Sequence, residues 1–175
     1  MRRLMFWVGT MLLCLAFAGP AAFAQMDDEF NDDTEILEFE SMVGVSGPFL
    51  GDLNPIREIN GGGRPWVLEE AEGELKANGM LEVEVEGLII PDTEPGFGFN
   101  PAAFFLAAVS CLTFGEDETV VVENVFTQMQ DTRMIGDPRN GDAKIRALLD
   151  LPDPCFAPLV FVTSPTGSWF AVTGR

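Results

Sequence analysis

Six glutamates stand at alternate positions in two short runs. Glu70, Glu72 and Glu74 alternate with Ala71, Gly73 and Leu75, and Glu82, Glu84 and Glu86 alternate with Leu81, Val83 and Val85. A period of two is that of a strand with one buried face, so each run places its carboxylates on the opposite, polar side. The turn between the runs sets the register. A two-residue Asn78-Gly79 loop would put Glu74 opposite Val83 and mix polar with apolar side chains on both faces, because a slip of one residue reverses every side chain. A three-residue loop, Ala77-Asn78-Gly79, pairs Lys76 with Met80, Leu75 with Leu81, Glu74 with Glu82, Glu72 with Glu84 and Glu70 with Glu86. Glycine at the last loop position suits the left-handed residue of a type I turn with a G1 bulge. Like charges directly opposite each other destabilise a pair by a few tenths to about 1 kcal/mol, so such a face calls for compensation. A hard cation such as Ca²⁺, which prefers several oxygen ligands, is one candidate. A polycationic partner is another. The plainest reading is a solvated face screened by salt that discourages unwanted strand pairing.

A second candidate is the Gly-rich segment from Asn54 to Trp66. It holds Arg57 and Arg64, Asn60, the run Gly61-Gly62-Gly63, and Trp66. Three consecutive glycines let backbone amides approach a carboxylate or a sugar. The segment lacks the Gly-Lys-Ser/Thr ending of a phosphate loop, and the competing structural reading has Trp66 capping the core and the arginines pairing with nearby acids. Gly115-Glu116-Asp117-Glu118 reads as a hairpin tip. Asp137 to Asp142 reads as a turn, with Arg139 where an EF-hand loop would need its second side-chain ligand. Ser164 and Thr166 have no base nearby in the sequence and read as turn residues that hydrogen-bond locally.

Composition removes whole classes of chemistry. The chain has 175 residues, no His, no Tyr, and 10 basic against 28 acidic residues, a net charge of -18. Without imidazole there is no Ser-His-Asp or Cys-His nucleophile pair and no H-E-x-x-H zinc site. An acidic chain of pI near 4.1 repels phosphates, which argues against nucleic acid. Paired carboxylates suit a hydrolase only at a set separation across a cleft, and a carboxylate-dependent hydrolase ranks third among the functional readings.

The elements that must position these residues begin after an export signal. Arg2 and Arg3 form a positive start, Leu4 to Ala18 is an apolar run, and Ala22-Phe23-Ala24 presents small residues to a signal peptidase, which places cleavage of residues 1–24 before Gln25. The apolar run is short of the roughly 20 residues a spanning helix needs, so no membrane span is expected after cleavage. Residues 25–35 form an acidic, flexible segment with too little apolar surface to order itself. From residue 36 to 175, apolar runs separated by Gly, Pro, Asn and Asp predict an all-β domain of about eight strands, near 36–45, 66–76, 80–90, 103–114, 119–130, 143–151, 158–164 and 168–173. A single antiparallel β-sandwich suits this pattern, with a β-barrel as the alternative. The stretch 143–151 also has some helical character. Its alternation of Ile145, Ala147, Leu149 and Leu151 favours a strand. Export leaves two cysteines, Cys111 and Cys155, and an oxidising compartment predicts a disulfide between them.

The motifs N-P-I-R-x-x-N-G-G-G-x-P-W (Asn54 to Trp66), G-E-L (Gly73 to Leu75), G-L-I-I-P (Gly87 to Pro91), L-P-x-x-C-x-A-P (Leu151 to Pro158) and V-T-S-P-T-G-x-W-F-A (Val162 to Ala171) together resemble a family of exported bacterial β-rich proteins. The resemblance spans most of residues 42 to 174. It implies one secreted domain with paired cysteines and a bacterial source, and brings no activity, ligand or catalytic residue with it. The acidic stretch Gln25 to Glu40 and the region Gly115 to Asp131 depart from its pattern. The combined expectation is a secreted or periplasmic, non-enzymatic β-sandwich module that binds a protein or glycan partner or serves the envelope or extracellular matrix. The runner-up is a Ca²⁺-stabilised carbohydrate- or surface-binding domain.

Overall fold

A computed structural model describes residues 34–173. The expected signal, and all of the acidic segment except Thr34 and Glu35, lie outside the described residues. The described chain forms ten strands and three single turns of 3-10 helix. The strands are β1 (Glu35–Phe39), β2 (Met42–Gly44), β3 (Glu70–Lys76), β4 (Met80–Glu86), β5 (Leu106–Phe114), β6 (Val120–Phe126), β7 (Thr132–Met134), β8 (Ala143–Leu148), β9 (Phe156–Thr163) and β10 (Trp169–Thr173). They build two five-stranded sheets. Sheet A runs β1-β3-β4-β8-β7 and sheet B runs β2-β10-β9-β5-β6. All ladders are antiparallel and neither sheet closes on itself, so the architecture is the sandwich and the barrel alternative falls away.

Two details differ from the sequence expectation. The run 36–45 is two strands in different sheets, because the chain leaves sheet A after Phe39 and enters sheet B at Met42. Exposed Glu40 and Ser41 fill the crossing, while Phe39 and Met42 are both buried. Beyond the predicted 119–130 strand, Thr132–Met134 forms a short edge strand on β8. The stretch 143–151 is extended over Ala143–Leu148, with Ala143, Ile145 and Ala147 buried.

Leu75, Leu81, Val83, Val85 and Ile145 of sheet A and Val109, Val160 and Val162 of sheet B supply much of the core. Trp66 stacks on Phe170 with ring centroids 3.8 Å apart, and Phe105 meets both rings edge-on. Burying such side chains contributes about 1.5–3 kcal/mol each before ordering entropy is subtracted. Strand β5 is buried from Ala107 to Cys111 on both faces. One covering element is the segment before Trp66, where Phe49 packs on Trp169 and the Arg57 guanidinium reaches the Ala157 carbonyl. Cys111 on β5 is bonded to Cys155 just ahead of β9, with Cα atoms 4.9 Å apart.

Candidate functional site: the outer face of sheet A

The β3–β4 hairpin has the derived register. Glu70 faces Glu86, Glu72 faces Glu84, Glu74 faces Glu82, and Leu75 faces Leu81. Gly79 closes the turn at φ +87, its N–H donates to the Lys76 carbonyl, and the Asn78 side chain accepts from Met80 N–H. Ala71, Leu75, Leu81, Val83 and Val85 point inward and are buried, so all six glutamates lie on the outer face.

The compensation comes from the neighbouring strands. Strand β8 places Arg146 opposite Glu82 and Lys144 opposite Glu84, with ion pairs of 2.6 and 2.5 Å. Lys76 lies 3.4 Å from Glu74. At the far edge β7 sets Arg133 beside Lys144, and at the near edge β1 sets Glu38 beside Glu74. The face therefore carries ordered rows. One runs Glu38, Glu74, Glu82, Arg146; the next runs Glu72, Glu84, Lys144, Arg133. Charge passes from negative on β1, β3 and β4 to positive on β8 and β7.

Over the middle of these rows lies an open depression of about 490 Å³. Its charged lining is Glu38, Glu40, Glu72, Glu74, Glu82, Glu84 and Asp131 against Arg133, Lys144 and Arg146, which leaves four net negative charges. A smaller recess of about 120 Å³ is lined by Glu70, Glu72, Glu84 and Glu86. Among the described residues, no three His, Cys, Asp or Glu side chains converge closely enough to hold a metal ion.

The Gly-rich segment is built into the fold. Gly61 N–H donates to the Gly51 carbonyl and Gly62 N–H to the Trp169 carbonyl, so these two amides are already used. A Cβ on Gly61 would fall 1.9 Å from the Phe49 carbonyl oxygen, which accounts for glycine there by close backbone approach. The Asn60 carbonyl accepts from Trp169 N–H, and Trp66 is a core residue. Gly63 is exposed and open. Arg64 pairs with Glu94 at 3.3 Å and lies over the Phe97 ring, while the Arg57 carbonyl accepts from Asn124 Nδ2. The acidic turns are also as read. Asp117 accepts from the Thr119 side chain and backbone at the β5–β6 tip, and these hydrogen bonds hold its carboxyl below the ordinary aspartate range. Asp137 accepts from Arg139 N–H, and Ser164 bonds within its own turn.

Lys144, Arg146, Arg133 and Glu38 belong to the charged face and were not singled out from sequence. A signal for two of them was present, since Lys144 and Arg146 are the polar positions of the alternation that marks β8. Comparison with protein-family models, with curated proteins and with solved structures finds no match.

Proposed function

We propose that this protein is an exported, non-enzymatic binding module whose outer sheet A face takes a cationic partner, a protein segment bearing lysines or arginines. The observation that carries this reading is the 490 Å³ depression whose lining is negatively charged overall and ordered in rows by strand pairing. A rigid sheet holds the carboxylates at fixed spacing, so an incoming cation meets a field already arranged, and steering of this kind acts mainly on association rate and specificity. Export is supported by the features of residues 1–24 and is compatible with the Cys111–Cys155 bond. A glycan fits this face less well. A sugar ring stacks best on an exposed aromatic side chain, whereas the one aromatic lining the depression, Phe39, is 6% exposed.

The test is fluorescence anisotropy of a labelled oligo-lysine or oligo-arginine peptide, with an oligo-glutamate peptide as control. Binding that weakens as NaCl rises, and weakens about tenfold or more when Glu38, Glu72 and Glu74 are changed together to Gln, is the expected result. Equal binding of both peptides, or an unchanged affinity in that variant, would overturn it.

The second reading, Ca²⁺ at the recess lined by Glu70, Glu72, Glu84 and Glu86, requires these carboxylates to draw together around the ion, since no three of the described acids converge closely enough as they stand. Thermal melts in EDTA, Ca²⁺, Mg²⁺ and matched NaCl separate the two. Millimolar Ca²⁺ on a site of about 10 µM Kd adds roughly 2.7 kcal/mol, whereas plain screening shifts every salt alike.

A further inference from the structure

The two sheets have four edges, and three of them carry devices that prevent further pairing. Strands β2 and β7 are three residues long. Strand β1 carries Glu35 and Glu38 and has a register irregularity between Glu35 and Leu37. Short length, charge and bulges are the usual means of blunting an edge. Strand β6 is the least protected: it is neither short nor bulged, and its one charge is Glu123. It is seven residues long, Val-Val-Val-Glu-Asn-Val-Phe, it pairs with β5 in unbroken register, and it contains no Lys, Arg or Pro.

The hydrogen-bond phase shows which groups are free. Gly115 N–H donates to Thr119 and Thr127 N–H to Ala107, so the bonded β5–β6 pairs are those of 119, 121, 123, 125 and 127. The N–H and C=O of Val120, Val122, Asn124 and Phe126 therefore point away from β5, and no backbone bond joins them to another described segment. Side chains beside this edge are apolar and open. Val120 is 60% exposed, and Phe114 and Phe156 next to it are 54% and 48% exposed, with rings 5.7 Å apart.

We propose that β6 is a self-association edge, pairing antiparallel with β6 of a second copy about a two-fold axis to join two B sheets. The occupant follows from the edge itself. Antiparallel pairing of one strand with its own copy is isologous and closes after two chains. With Val122 on the axis, the outward groups of Val120 meet those of Asn124, and Val121 lies opposite Glu123. Moving the axis to Glu123 would bring two carboxylates face to face, which is disfavoured. In a chain of net charge -18, β6 also offers an approach with one carboxylate in seven residues.

The test is sedimentation equilibrium of the protein up to about 100 µM, since a dimer shows itself as concentration dependence. The expected result is a dimer that tightens with added NaCl as repulsion between copies is screened. Val122→Pro removes an outward N–H without touching the β5 ladder, and Val120→Lys adds charge to the open edge. Each should weaken association about tenfold or more, with thermal melts verifying the fold. Val43→Lys, on the β2 edge, should leave it unchanged. A dimer insensitive to both β6 variants overturns the proposal. So does a protein that stays monomeric throughout, which would leave the edge to a strand from another protein.

Discussion

Replacing Cys111 and Cys155 together by alanine removes the covalent tie between β5 and the start of β9 in sheet B. The cysteines are 44 positions apart. The loop-entropy relation gives about 4 kcal/mol of lost stability for a closure of that length. Cys111 is fully buried, and the two missing sulfurs add about 1 kcal/mol of lost packing. Unfolding a domain of the 140 described residues involves an entropy of about 0.3 kcal/mol/K. The expected drop in Tm is therefore about 14–17 °C. Thermal melts by circular dichroism measure it, and urea titration should show a larger m-value because the uncrosslinked unfolded chain exposes more surface. A drop below about 3 °C would refute the reasoning, since the bond would then be constraining an unfolded state that is already compact.

Three other outcomes follow from individual residues. Gly79→Ala puts a Cβ 1.9 Å from the Leu149 carbonyl oxygen at φ +87 and should cost about 2 kcal/mol or more. Gly63→Ala, with nothing within 4 Å, should stay within about 0.5 kcal/mol; matched urea titrations compare them. Changing Lys144 and Arg146 together to Gln breaks two ion pairs whose cations are 57% and 72% exposed, so the loss should be at most about 1 kcal/mol at low salt and vanish at high salt. Asp117, its carboxylate held by Thr119, should titrate by NMR below the ordinary aspartate range, and Thr119→Val should raise it. Because its folded pKa is depressed, its contribution to stability is present above the unfolded value of about 4 and is lost as pH falls through the folded one.

The β3–β4 hairpin was legible because its information is local. Alternation gives the faces and loop length gives the register, and the pairing Glu74–Glu82 follows from the two. The Cys111–Cys155 bond was legible from the expected export signal and the even number of cysteines beyond it. The partners of the glutamates were not, because β4 and β8 are some sixty residues apart and no local pattern says which strands become neighbours. The apolar run 36–45 read as one strand because burial against either sheet selects the same residue types; the switch at Glu40 and Ser41 is a tertiary event. The glycines at 61 and 62 illustrate the same limit. Close packing of backbones and a ligand nest both call for glycine, and only the positions of the Phe49 carbonyl and the Trp169 carbonyl distinguish them.

The central claim is that the rows of sheet A form the binding face. Backbone amide NMR shifts during titration with an oligo-lysine peptide test it most directly. The account predicts saturable shifts confined to β1, β3 and β4 around Glu38, Glu72, Glu74, Glu82 and Glu84, lost on adding NaCl to about 0.5 M. Shifts centred on Asn54 to Trp66, or an unchanged spectrum at excess peptide, would contradict it.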